Sequence, residues 1–278
     1  MGRELQRIGA PFAQPEWSAL ALMKAPEMVT QAHRNFIDAG AKIITTNTYA
    51  LVPFHIGQGK DVEGLARLAV QCAKDAVGDN DIKIAGCIPP AFGSYKPELF
   101  MIDQVETILT PLIMTQKNDV DYWLIETMSS THEAMAVIDL IKHHSDLPIY
   151  LSFTLNNRED LNHPTTLRSG ESIHDIEPIL PSIDAILFNC SQPEEMEDAI
   201  KAVRVIDNDI SIGAYANNFS EIKRNHNANE GISESRDDIT PEVYLKFARS
   251  WVNAGATIIG GCCGIRPDHI NLLAKSLK

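Results

Sequence analysis

Ile258-Ile259-Gly260-Gly261-Cys262-Cys263-Gly264-Ile265-Arg266-Pro267-Asp268-His269-Ile270 runs from an apolar strand through a glycine-flanked cysteine pair into a helix start. Adjacent cysteines on a regular strand point to opposite faces of the sheet, so both thiolates reach one ion only where the backbone leaves regular geometry. Gly260, Gly261 and Gly264 permit that departure, because glycine reaches φ/ψ regions closed to other residues. A third soft ligand is offered by Phe188-Asn189-Cys190-Ser191, at the end of the apolar strand Ala185-Ile186-Leu187-Phe188. Cys190, Cys262 and Cys263 together suit zinc, and three thiolates leave one tetrahedral position open, the pattern of a catalytic metal centre.

Outward from that stretch, strand-like and helical patterns alternate along the chain, which argues for repeated βα units and a parallel sheet. Seven short runs rich in apolar or β-branched residues read as strands: Lys42 to Thr46, Ile82 to Cys87, Tyr122 to Glu126, Ile149 to Leu155, Ala185 to Asn189, Ile210 to Ala214 and Thr257 to Gly260. Helical spacing marks Val62 to Ala76, Ile102 to Thr115, Ser130 to His143, Glu194 to Val205, Pro241 to Ala254 and Pro267 to Ser276. Two long polar loops, Asn156 to Ser169 and Asn217 to Asp238, follow strands and are candidate lids. Ile88-Pro89-Pro90-Ala91-Phe92-Gly93-Ser94-Tyr95 also follows a strand, and its prolines and aromatics suit a stiff pocket wall. The even alternation, without a composition break, is expected of one domain over residues 1–278.

Composition excludes several classes. A chain of 278 residues with 44% hydrophobic and 22% charged residues can bury a sizeable core. No apolar run approaches the roughly 20 residues that span a bilayer. Met1-Gly2-Arg3-Glu4-Leu5-Gln6-Arg7 has no apolar stretch after its charges, so no secretory signal is read there. The net charge of −13 carries no Lys/Arg cluster and argues against nucleic acid as a partner. The same acidity mildly favours a cationic ligand, although an acidic surface also serves solubility. Five cysteines, odd in number and set among apolar segments, fit a reducing compartment, and a cytoplasmic protein is expected. Nothing in the sequence sets an oligomeric state.

The Asn189-Cys190 and Gly261-Cys262-Cys263 elements resemble those of the homocysteine S-methyltransferase family. The similarity continues through Trp17-Ser18-Ala19-Leu20, Ile43-Ile44-Thr45-Thr46-Asn47-Thr48-Tyr49, Ile125-Glu126-Thr127 and Ser152-Phe153-Thr154-Leu155. The resemblance implies a TIM-type (β/α)8 barrel whose first strand is missing from the chain. In the family a strand ending in Asp-Gly-Gly precedes the segment that matches residues 1–6. The expectation is therefore that the natural product begins upstream of Met1, or that another segment, such as Glu4 to Ile8, fills the gap. It also implies zinc on Cys190, Cys262 and Cys263, and methyl transfer from a sulfonium donor, S-methylmethionine ahead of S-adenosylmethionine, to homocysteine.

The residues support that chemistry. A thiol near neutral pH is mostly protonated whereas the thiolate is the nucleophile, and a metal solves that problem. Glu126 ends the apolar run Tyr122-Trp123-Leu124-Ile125, where a carboxylate is costly unless paired or facing a barrel mouth, so it is the candidate for the substrate ammonium. The matching family glutamate contacts the homocysteine amino group; capping the helix near Ser130 is its bland alternative. Thr45, Thr46 and Asn47 at another strand end are candidates for the amino-acid end of the substrate, or else satisfy loop backbone. Cys87 and Cys72 read as core, and the nine histidines as surface or structural groups. Rival readings are a betaine donor or a selenocysteine acceptor on the same zinc, a redox or storage role for Cys262-Cys263 without Cys190, and a phosphate site at Gly260-Gly261.

Overall fold

The apolar runs assemble into one sheet of seven parallel strands whose spatial order is their sequence order. The computed structural model describes residues 1–158, 162–220 and 234–277. Its strands are β1 (Ile43–Thr45), β2 (Lys83–Ile88), β3 (Tyr122–Met128), β4 (Ile149–Phe153), β5 (Ala185–Asn189), β6 (Ser211–Tyr215) and β7 (Ile258–Ile259). Each expected strand is present; Ala185 to Asn189 keeps its bounds, and the ends of the others shift by no more than two residues. β2, β3 and β5 are buried along nearly their whole length, as continuous apolar strands must be when helices cover a parallel sheet.

Helices α1 (Gly2–Arg7), α2 (Ser18–Lys24), α3 (Pro26–Asp38) and α4 (Pro53–Ile56) precede α5 (Val62–Val77), α6 (Ile102–Gln116) and α7 (Thr131–His144). After them come α8 (Pro193–Ile206), α9 (Pro241–Ala254) and α10 (Pro267–Ser276), and 3-10 turns occupy Pro97–Leu99 and Ile173–Ser182. The six expected helices are all found. The first four were not read from sequence; in α3 the buried face holds Thr30 and His33 beside Val29 and Ala32, so polar residues interrupt its apolar stripe. The ends of α9 follow simple capping rules: the Thr240 hydroxyl accepts from Val243 N (3.4 Å), Pro241 opens the helix, and Gly255 closes it at φ 116°.

The sheet curls into a TIM-type half-barrel but does not close. β1 pairs with β2 and β7 with β6, and the two outer strands do not pair with each other. Residues 2–7 are helical, so the alternative that Glu4 to Ile8 supplies an eighth strand is overturned: with Met1 at its N-cap, this segment satisfies its backbone internally. A gap faced by Ile43, Ile258 and Ile270 joins the barrel interior in one cavity of about 920 Å³. Unpaired parallel edges beside an apolar gap are normally covered. An apolar, β-branched strand of about five residues, joined by a short linker ahead of Met1 (which itself borders this cavity), is expected to pair both edges and raise the melting temperature by about 5 °C or more. An unchanged melting temperature in a thermal scan would show that the edges do not accept it.

The loop expectations divide. Ser94 and Tyr95, after β2, line the cavity. In the first candidate lid, Leu155 bridges Leu167 and Arg158 Nε donates to Glu195 Oε2 at 2.6 Å, tying the described part to α8. In the second, Phe219 bridges Ser235, and Arg236 binds Glu194 at 2.8 Å. Residues 159–161 and 221–233 of these lids, with His226, lie outside the described residues. Among the described residues no helix is long and apolar enough to cross a membrane.

Candidate active site

The C-terminal ends of the strands gather the chemistry-bearing residues, as expected for loops that follow strands in this architecture. Cys190 is the first residue after β5, in a left-handed conformation at φ 48°. Cys262 and Cys263 follow β7 and are pinned to the extension of β6: Cys262 N donates to Ala216 O (2.9 Å), and Asn218 N donates to Cys263 O (2.7 Å). The expectation that three glycines supply unusual φ holds for Gly264 alone, at φ 82°. Gly260 and Gly261 are needed for space instead. A Cβ on Gly261 would lie 2.2 Å from Ile265 Cγ2, and one on Gly260 would lie 3.2 Å from Tyr215 Cβ.

The three sulfurs lie within 4.8 Å of one another, with Cys190 Sγ and Cys263 Sγ 3.9 Å apart. Zinc–sulfur bonds of about 2.3 Å in a tetrahedron separate ligand sulfurs by about 3.8 Å, so this cluster fits a zinc ion with small side-chain adjustment. Hydrogen bonds from Cys190 and Cys262 hold the Cys263 thiol well below the ordinary thiol value, and the Arg3 charge adds to this. Arg3 stacks over Phe219, 5.1 Å from the ring centre. All five cysteines are free thiols. Among the described residues this is the one cluster of His, Cys, Asp or Glu able to hold an ion, and no described histidine joins it.

Glu126 lines the same cavity, and its aim has a local cause. The β3–β4 register shifts between Ile125 and Met128, and Thr127 takes φ 62°, so the strand bulges where Glu126 stands. Asn189, 1% exposed, braces that bulge. Its Oδ1 accepts from Thr127 N (3.1 Å) and Ser152 Oγ (2.8 Å), and its Nδ2 donates to Thr127 Oγ1 (2.8 Å). The Cys87 thiol, fully buried, donates to Glu126 Oε2 at 3.1 Å. Burial pushes the Glu126 carboxyl above its ordinary range, and the Cys87 contact works against that shift. Glu126 does not cap α7; that role falls to Ser130, whose hydroxyl accepts from Glu133 N (3.2 Å), and to Glu133, which accepts from Ser129 N (3.0 Å).

Thr45 and Asn47 also border the cavity. The Asn47 amide is already spent on Ser18 O (3.1 Å). Thr46 is buried and binds inward, to Gln116 Oε1 (2.6 Å) and Cys87 N (3.0 Å), so it secures the β1–β2 junction. The bracing by Asn189 and the Cys87–Glu126 contact were missed in the sequence; the available signal was a polar residue ending a wholly apolar strand, which needs partners when buried. Trp17, Tyr95, Thr127 and Cys190, the non-glycine residues with positive φ (48° to 68°) among the described residues, all border this cavity.

Comparison with known proteins agrees with this geometry. Residues 1–277 match the sequence model of the family described as homocysteine S-methyltransferase. Selenocysteine methyltransferase of Astragalus bisulcatus is 27% identical over 321 residues, covering 100% of this chain and 90% of the relative. Homocysteine S-methyltransferase 3 of Arabidopsis thaliana is 27% identical, covering 99% of this chain and 87% of the relative. In fold, the chain is similar to the metallated form of the homocysteine methyltransferase MmuM from Escherichia coli, with a TM-score of 0.79, 23% identity, and coverage of 99% and 93% of the two chains. With the match running through both cysteine elements and nearly end to end, this chain belongs to the homocysteine S-methyltransferase family.

Proposed function

We propose that the protein is a zinc-dependent enzyme that moves a methyl group from a sulfonium donor to the thiol of homocysteine, giving methionine and a neutral thioether. The observation that carries this reading is the cysteine triad, within 4.8 Å, sharing one cavity with Glu126. Cys190, Cys262 and Cys263 would hold zinc and leave its fourth position to the acceptor sulfur. Bound there, zinc supplies Lewis acidity that lets an acceptor thiol lose its proton at neutral pH. Glu126 accepts the acceptor's ammonium, and the Cys87 thiol steadies that carboxylate. The apolar barrel wall, including Leu124 and Leu187, limits water around the reacting sulfur. Free cysteines throughout support a reducing, cytoplasmic setting.

S-methylmethionine is the favoured donor and S-adenosylmethionine the second. The name of the Astragalus relative supports a second reading of the acceptor, selenocysteine, on the same residues. The test is to measure zinc per chain, then methionine formation from homocysteine with each sulfonium donor. Undiminished transfer by the zinc-free protein, or none with any sulfonium, sinks the proposal. Glu126→Gln is expected to keep its zinc while homocysteine binding weakens by about 1.5 to 3 kcal/mol, through loss of a charge-assisted contact. Unchanged affinity in a folded variant would assign Glu126 a structural role.

A further inference from the structure

Tyr215 stands at the C-terminal end of β6, in register with Asn189 of β5, and lines the cavity that holds Glu126. Its hydroxyl is fully buried and makes no well-formed hydrogen bond among the described residues, with Glu126 and Ser152 standing near it but neither in good hydrogen-bond geometry. Two other tyrosines near the site are matched: Tyr49 Oη meets Ser94 Oγ at 2.6 Å, and Tyr244 Oη donates to Gly260 O at 2.8 Å. The strand could satisfy its packing with phenylalanine and avoid the cost of an orphaned hydroxyl. A buried donor left uncommitted inside a binding cavity is instead arranged for a ligand.

Its surroundings narrow the ligand group. The Tyr215 hydroxyl lies close enough to Glu126 that burial first, and then that carboxylate, raise its pKa. A zwitterionic amino acid whose ammonium meets Glu126 brings its own carboxylate alongside, where the Glu126 charge repels it. That carboxylate needs a donor. Three donors on the strands beside Tyr215 are committed: Cys87 Sγ donates to Glu126, Ser152 Oγ to Asn189 Oδ1, and Asn189 Nδ2 to Thr127 Oγ1, while Thr45 stands across the cavity on β1. Gly260 is shaped to this ring, since a Cβ there would press on Tyr215 Cβ at 3.2 Å.

We propose that Tyr215 is the specificity contact for the acceptor's α-carboxylate, its hydroxyl donating to that group while Glu126 takes the adjacent ammonium. The site then selects α-amino-acid thiols over simple aminothiols. This rests on the acceptor reading above. The experiment compares the natural protein with Tyr215→Phe, using homocysteine and 3-aminopropane-1-thiol, the same acceptor without its carboxylate. Calorimetric binding is read beside methyl-transfer kinetics, with zinc content and thermal melting as controls. The natural protein is expected to bind homocysteine about 10- to 100-fold more tightly than the aminothiol. In Tyr215→Phe that preference vanishes through loss of homocysteine affinity alone, while zinc content is unchanged and the melting temperature is equal or higher. Equal loss with both acceptors, or an unaltered preference for homocysteine, overturns the assignment. So does equal binding of both acceptors by the natural protein, a result that needs no variant to fold. Binding without turnover in the natural protein would count against the methyl-transfer reading and leave the Tyr215 comparison decisive.

Discussion

Cys190→Ser is expected to lose zinc during purification and to form no methionine above background. The reason is geometric. Cys262 and Cys263 are neighbours on one short segment, and the third sulfur, 3.9 Å from Cys263, comes from the end of a different strand. Removing it leaves two thiolates and two open positions, where a three-thiolate centre has one. The affinity loss should exceed the roughly 10- to 100-fold seen when residues supporting a metal ligand are changed. Zinc per chain by atomic emission and methionine formation would be measured on one preparation whose circular dichroism matches the parent. A variant with one zinc per chain and parental turnover removes Cys190 from the centre, and would favour a redox or storage role for the adjacent pair.

The second large effect is expected at Asn189, which is neither a proposed metal ligand nor a proposed acceptor contact. Asn189→Ala strands the buried Thr127 N–H and takes a partner from both Thr127 Oγ1 and Ser152 Oγ. The cost should be about 2 to 4 kcal/mol of folding stability, read as a lower urea midpoint. Because Thr127 follows Glu126 and holds φ 62° while bonded twice to Asn189, relaxation of the bulge should also raise the KM for homocysteine by more than about 10-fold. Stability within about 0.5 kcal/mol of the parent would show that the bulge holds itself.

Those two residues also mark the limit of what sequence reasoning reached. That Cys190 would meet the Cys262-Cys263 pair was legible because both elements end apolar strands, and strand ends of a parallel sheet share one face. The seven strands were legible because parallel strands covered on both faces are written as apolar runs, as in Ala185 to Asn189. The reason for two of the glycines was not legible: whether Gly261 serves φ or space depends on Ile265, which turns back over it. Nor could sequence show that Glu126 is aimed by a register shift and an amide from β5, since Asn189 lies 62 residues from the Thr127 it holds. Helix α3 escaped because Thr30 and His33 occupy its inward face. Long-range partners of buried polar groups are tertiary facts, and the local pattern records only that a partner is needed.

The four left-handed residues around the cavity bear on any attempt to make this protein sturdier by directed evolution. Each non-glycine residue held there costs about 1 to 3 kcal/mol, and glycine or asparagine would relieve part of it. A screen that scores only survival at high temperature should therefore accumulate replacements at positions 17, 95, 127 and 190. One of these is a proposed zinc ligand and another adjoins Glu126. The winners of such a screen would outlast the parent in the heat and return fewer active clones with every round, unless turnover is scored alongside survival.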